Sequence, residues 1–153
     1  MNVLFFDIDG VVCTLRSHFA FGDKGGLMQA WDITACQMIR KLCSKHHFKI
    51  VVSSTWRFRP DHCRLYLATY GLIDHLYPHA DPAEWTTPKQ GKNRGKEIKV
   101  WLGAHPEVKN FIILDDDRDF LEDQKPFHIH TDSSDGFSSQ DFMAFEELVE
   151  RMT

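Results

Sequence analysis

Short runs that are apolar at nearly every position, each cut off by a polar residue, set the pattern of this chain. Val3-Leu4-Phe5-Phe6 stops at Asp7, Lys49-Ile50-Val51-Val52 stops at Ser53, and Phe111-Ile112-Ile113-Leu114 stops at Asp115. A run without polar alternation suits a strand covered on both faces, as in a parallel sheet. Phe127-His128-Ile129-His130 alternates and predicts an edge strand. A further, weaker strand is expected at His75-Leu76-Tyr77.

Helical periodicity fills the intervals. Asp32 caps a predicted helix over 32–46 that turns Ile33, Cys36, Ile39 and Cys43 to one face. A second helix is predicted over 60–70, between Pro60 at its start and Gly71 as its stop. A third covers 94–102, with Ile98, Trp101 and Leu102 facing inward, and a fourth covers 140–152 behind Ser138 or Ser139. Strands alternating with helices predict βαβ units, hence an α/β fold: a three-layer sandwich around a mostly parallel, five-stranded sheet. Residues 16–29 and 78–93 read as loops. No Gly/Ser-rich linker or repeat divides the 153 residues, so one domain over 1–153 is expected.

Composition narrows the setting. The net charge of −4 gives no global basic field. No apolar run approaches the ~18 residues of a transmembrane helix. The start, MNVLFFDIDGVV, lacks a basic segment and meets aspartates early, unlike a signal peptide, so a cytoplasmic setting is expected. Cys36 and Cys43 fall on one predicted helix, roughly 10 Å apart and too far for a disulfide. With Cys13 and Cys63 they read as free thiols. The histidines, including His46-His47, His128 and His130, lack partners at zinc-ligand spacing.

The candidate chemistry lies at the strand ends, where open α/β sheets bind ligands. They carry Asp7-Ile8-Asp9-Gly10, Ser53-Ser54-Thr55-Trp56-Arg57 and Asp115-Asp116-Asp117. Carboxylates gathered at one edge repel one another, and a hard divalent cation such as Mg²⁺ relieves that repulsion while admitting a substrate phosphate. In strand geometry Asp9 points to the same side as Asp7, so one carboxylate can attack while the other handles a proton. Gly10 lets the chain turn beside a ligand.

Residues 3–12, VLFFDIDGVV, resemble the first motif of the haloacid dehalogenase superfamily of phosphotransferases. Val52-Ser53 resembles its second motif, Lys96 its third-motif lysine, and Ile113-Leu114-Asp115-Asp116 its acidic fourth motif. Ser53-Ser54-Thr55-Trp56-Arg57, the Lys96-to-Trp101-Leu102 segment, Leu114-Asp115-Asp116-Asp117 and Thr131-Asp132 followed by Gly136-Phe137 resemble the small domain of RNA-repair proteins. The resemblance implies a Rossmann-like, Mg²⁺-dependent phosphatase. Asp7 would be the nucleophile that forms an aspartyl-phosphate and Asp9 the general acid and base. The metal would be held by Asp7, the Asp9 carbonyl and Asp116 or Asp115, with Asp119 supporting its waters. Ser53 would donate to the phosphoryl group, with Ser54 as the competing donor. Lys96 would neutralise that group, with Lys92 and Lys99 as alternatives. Gly10, Ser54, Arg57 and Lys92 complete the expected substrate contacts.

The two intervals where relatives insert a cap are about 40 residues each, and each must supply a helix and a strand. No separate cap is therefore expected, and an open site suits a large substrate such as a nucleic-acid end. Lys89-Gln90-Gly91-Lys92-Asn93-Arg94-Gly95-Lys96 is basic, with Trp85 before it and Trp56, Arg57 and Arg59 elsewhere as candidate contacts to bases and backbone. Two other readings compete: a 5′-nucleotidase with residues 19–26 over the base, and a weakly active metal- and phosphate-binding module. No membrane partner is expected.

Overall fold

One sheet of four parallel strands, ordered β2-β1-β3-β4, organises the computed structural model, which describes residues 1–22 and 30–153. The strands are β1 (Asn2–Phe6), β2 (Phe48–Val52), β3 (Asn110–Asp115) and β4 (His128–His130). The three apolar runs therefore form two of the three pairings, β2 with β1 and β1 with β3, and the alternating segment forms the edge strand next to β3. Alternate residues of each strand supply two separate cores, as period-2 geometry requires. Leu4, Phe6, Ile50, Val52, Ile112 and Leu114 face one side. There they meet α2 (Ile33–His46), α3 (Pro60–Thr69) and α6 (Ser139–Met152). Val3, Phe5, Val51 and Ile113 face the other side and meet Ile98 and Trp101 of α5 (Arg94–Ala104). This is the expected three-layer arrangement.

Local signals place the helix starts. The Asp32 carboxylate accepts from the N–H groups of Thr34 and Ala35, at 2.9 and 3.1 Å. Asn93 accepts from the N–H of Lys96 at the head of α5. Ser138 and Asp141 form a reciprocal capping box on α6.

Two expectations need correction. The fifth strand at His75-Leu76-Tyr77 does not form: Leu76 makes a single bridge to Ile50, and Thr86 another to Val52. A 3₁₀ turn, Ile73–His75, precedes Leu76, and Pro78, which has no N–H to donate, follows soon after. No ladder fits between them. The stretches read as loops also contain helices, α1 (Leu15–Phe21) and the single turn α4 (Pro82–Trp85). Leu15, Phe19 and Phe21 of α1 are all exposed, so no buried stripe announced that helix. Residues 23–29 lie outside the described residues, and with them much of the 19–26 segment expected to cover a base. The cysteines are free thiols, as expected. Among the described residues, no helix is long and apolar enough to cross a membrane.

Because all strands run the same way, Asp7, Ser53, Asp115 and Thr131 emerge at one edge of the sheet. The chain beyond β4 braces the turn beyond β1. The buried Thr131 hydroxyl donates to the Gly10 carbonyl at 2.8 Å, and the Phe137 N–H donates to the Val11 carbonyl at 2.8 Å. Replacing Thr131 by valine keeps the shape and removes only the donor. Thr131→Val is expected to lower unfolding free energy by about 1–3 kcal/mol, the cost of an unpaired buried polar group. Urea titration measures this, and an unchanged midpoint would show that the brace contributes nothing.

Candidate active site

The pairing of β1 with β3 brings the acidic groups together. Phe6 pairs with Leu114 in register, and the Asp7 N–H continues the ladder to the Leu114 carbonyl at 3.0 Å. The next residues, Asp7 and Asp115, are therefore neighbours across strands about 4.8 Å apart. Asp116 joins them: one carboxylate oxygen from each of Asp7, Asp115 and Asp116 lies within 4.8 Å of the others. Asp7 and Asp115 are buried, and Asp116 is half-buried.

Burial and mutual repulsion raise the proton affinity of all three carboxyls. Asp7 is pushed well above its ordinary range, first by burial and then by the charge of Asp115. The Arg94 charge, the Ile8 N–H and the Ser54 hydroxyl act in the opposite direction. Asp115 rises to about 7, mainly through burial. Asp116 is raised by burial and by the Asp117 charge, and a hydrogen bond from Asp7 offsets part of this. Asp115 Oδ1 accepts from the Asp117 N–H at 2.9 Å, whereas its Oδ2 is buried without a hydrogen bond. Clustered carboxylates, one with a buried oxygen that receives no hydrogen bond, form a donor set that fits a hard divalent cation.

Gly10 lets this cluster form. It has φ +81°, and a Cβ there would sit 2.2 Å from Asp116 Oδ2. Any side chain at this position would displace the carboxylate. Asp9 stands outside the cluster, exposed, and its Oδ1 accepts from the indole N–H of Trp56 at 3.1 Å.

The loop after β2 holds both serines, but they point to different partners. The Ser54 hydroxyl lies beside Asp7 and lowers its proton affinity, and its Oγ caps the 3₁₀ turn Thr55–Phe58 through the Trp56 N–H. The Ser53 hydroxyl accepts from Thr87, 3.4 Å away. The structure thus places Ser54 beside Asp7 and Ser53 one step behind it.

The cation that meets the carboxylates is Arg94, not Lys96. Arg94 Nε lies 3.7 Å from Asp115 Oδ2, and its backbone N–H donates to Asp119 at 2.9 Å. Its side chain is only 15% exposed, and Nη1 is buried without a hydrogen bond. Lys96 is exposed, and its ammonium has no ion pair among the described residues. Helix phase explains the difference. Residue 94 precedes the buried Ile98 by four positions and Trp101 by seven, on the same face, whereas residue 96 lies about 200° around the axis. The signal for Arg94 was therefore present in the sequence.

Arg57 also departs from its expected role. Its guanidinium forms a buried, two-pronged ion pair with Glu97, at 2.9 and 3.1 Å, and donates to Thr87. The side chains are 8% and 4% exposed, so the pair ties the β2 loop to α5 more than it offers a free cation. At Gly95, a Cβ would lie 2.7 Å from the Leu121 nitrogen and 2.9 Å from the Phe120 Cα. The head of α5 therefore packs backbone to backbone against the chain that follows the acidic motif. Trp85 is fully buried and unavailable for stacking. In its place, the exposed Phe58 carries Lys89 Nζ over its ring at 5.2 Å. Phe58, Lys89 and Lys92 line a cleft of about 200 Å³ with Arg57 and Arg94.

Comparison with known proteins identifies the family. The family described as the HAD domain in Swiss Army Knife RNA repair proteins matches residues 3–142, a span containing Asp7, Asp9, Ser54, Arg94, Asp115 and Asp116. No curated protein and no solved structure gives a significant match. HAD domains are phosphatase-type hydrolases that typically use Mg²⁺. From the motif order, the parallel sheet and the matched span, the chain belongs to the HAD domain family of Swiss Army Knife RNA repair proteins.

Proposed function

We propose that the protein is a Mg²⁺-dependent phosphomonoesterase working through an aspartyl-phosphate on Asp7. The observation that carries this is the convergence of Asp7, Asp115 and Asp116, with Arg94 set against them at the sheet edge. Mg²⁺ would be held by Asp7, Asp116, the Asp9 carbonyl and Asp115, where it neutralises the carboxylates and lets an anionic phosphate approach. An Asp7 oxygen bonds to phosphorus as the ester P–O bond breaks, and Asp9 gives its proton to the departing oxygen. Water then bonds to phosphorus and yields a proton to Asp9, the bond to Asp7 breaks, and inorganic phosphate leaves. Ser54 orients Asp7. Arg94 takes the charge-neutralising role that the sequence suggested for Lys96, because its fixed guanidinium faces the site.

In the variant panel, Asp7→Asn is expected to abolish turnover of p-nitrophenyl phosphate, and chelation followed by Mg²⁺ to silence and restore the wild type. Arg94→Ala should lower kcat/KM by about 10²–10³-fold, the typical cost of removing one such stabilising group. Lys96→Ala should stay close to wild type. Full activity in Asp7→Asn, or a larger loss at Lys96 than at Arg94, would contradict these assignments.

The raised carboxyls give a stability test with a definite sign. Asp115 binds its proton up to about pH 7 when folded, against an ordinary value near 3.8. Between those values the folded state holds more protons than the unfolded chain. Its contribution is complete below about pH 4 and is lost as pH rises through 7, a range of a few kcal/mol. Without divalent cation, Tm should fall over that interval, and Mg²⁺ should raise Tm far more at pH 8 than at pH 5. Calorimetry with and without Mg²⁺ checks this, and an equal Mg²⁺ effect at both pH values would count against the cluster as the metal site.

The substrate class proposed is a nucleic-acid end. Lys89 and Lys92 line the cleft beside Arg94, and Phe58 offers an exposed ring at its rim. Charge reversal at Lys89 and Lys92 is expected to weaken hydrolysis of oligonucleotide phosphates about tenfold or more while sparing p-nitrophenyl phosphate. Equal losses on both would reject a backbone contact there.

A further inference from the structure

We infer that Trp56 is a positioning residue for the proton-transfer steps, its indole N–H fixing the Asp9 carboxylate at the mouth of the site. This rests on the role given to Asp9 above. Asp9 is exposed and lies beyond the end of β1, so packing alone does not hold its side chain in one rotamer. Trp56 Nε1 donates to Asp9 Oδ1 at 3.1 Å, and the Cys13 thiol is a second, weaker partner. A hydrogen bond to a charged acceptor is among the stronger kinds.

The donor is itself held in place. The Trp56 ring meets Trp31 and Tyr66 edge-on, with centroids 5.4 and 4.9 Å away, and stacks on His62 at 5.6 Å. Trp31 is fully buried, and Tyr66 lies on α3, so the indole is fixed by rings from separate parts of the chain. Its backbone N–H is the one from which Ser54 accepts in capping the same 3₁₀ turn. One turn therefore serves both carboxylates: a hydroxyl on Asp7 and, two residues later, an indole on Asp9.

Trp56 transfers no proton. It holds the group that gives one to the departing oxygen and later accepts one from water. The benefit should thus depend on how much the leaving group needs a proton. An alkyl phosphate leaves as a strongly basic alkoxide, whereas dinitrophenyl phosphate leaves as a stable phenolate. Trp56→Phe keeps an aromatic ring and removes the N–H. Its kcat/KM should fall about 10–100-fold on an alkyl phosphate and by no more than about threefold on dinitrophenyl phosphate. Equal losses on the two substrates, or no loss on either, would overturn the inference.

Asp9→Asn should show the same dependence on leaving group more strongly. If Asp9→Asn hydrolyses alkyl phosphates as fast as a working wild type, the acid role of Asp9 falls, and the inference about Trp56 falls with it. A readout independent of turnover and of metal comes from ¹⁵N spectra. The indole N–H resonance that Trp56→Phe deletes should move upfield in Asp9→Ala, where the charged acceptor is gone. An unmoved resonance in folded Asp9→Ala would show that the contact does not form and would also overturn the inference.

Discussion

Crowding of negative charge at one edge of a parallel sheet is the constraint that shapes this molecule. Two adjacent strands in register each lead into an aspartate, so Asp7 and Asp115 are brought side by side by the same backbone bonds that stabilise the sheet. Asp116 adds a third carboxylate at the point where a missing Cβ at residue 10 leaves space. An apolar core alone would not select such an arrangement, because burying like charges costs free energy. Its presence at the edge where open α/β sheets take ligands points to chemistry in preference to packing.

The surrounding loops answer that constraint in layers. The segment after β4 ties down the turn at Gly10 and Val11 through Thr131 and Phe137. The Arg57–Glu97 pair ties the loop after β2 to α5 and so steadies the element that carries Arg94. These supports lie far apart in sequence but meet around the carboxylates. Each acts through a buried hydrogen bond or ion pair whose single-sided loss leaves an unsatisfied group.

Much of this was legible in the chain. The central strands and the larger helices followed from apolar runs, periodicity and caps such as Asp32, and the acidic residues followed from where those runs stop. The fifth strand was overread, because His75-Leu76-Tyr77 has strand-like residues but is hemmed in by a 3₁₀ turn and Pro78. Helix α1 was invisible because its large apolar residues face outward. Lys96 drew attention through resemblance, although the face shared with Ile98 and Trp101 favoured Arg94. The direction in which Ser53 and Ser54 point depends on how the chain leaves β2. The contact between Trp56 and Asp9 joins residues 47 apart in sequence, and no local pattern encodes it.

The tight seat of Gly95 has a further consequence. Because main chain rests on main chain there, the spacing between the backbone that carries Arg94 and the chain after the acidic motif is set largely by atoms that cannot rotate out of the way. The head of α5 thus carries a built-in gauge of its own distance from the acidic loop. Drift in sequence can alter what lines the cleft, but a larger residue at this one seat would reset the gauge itself.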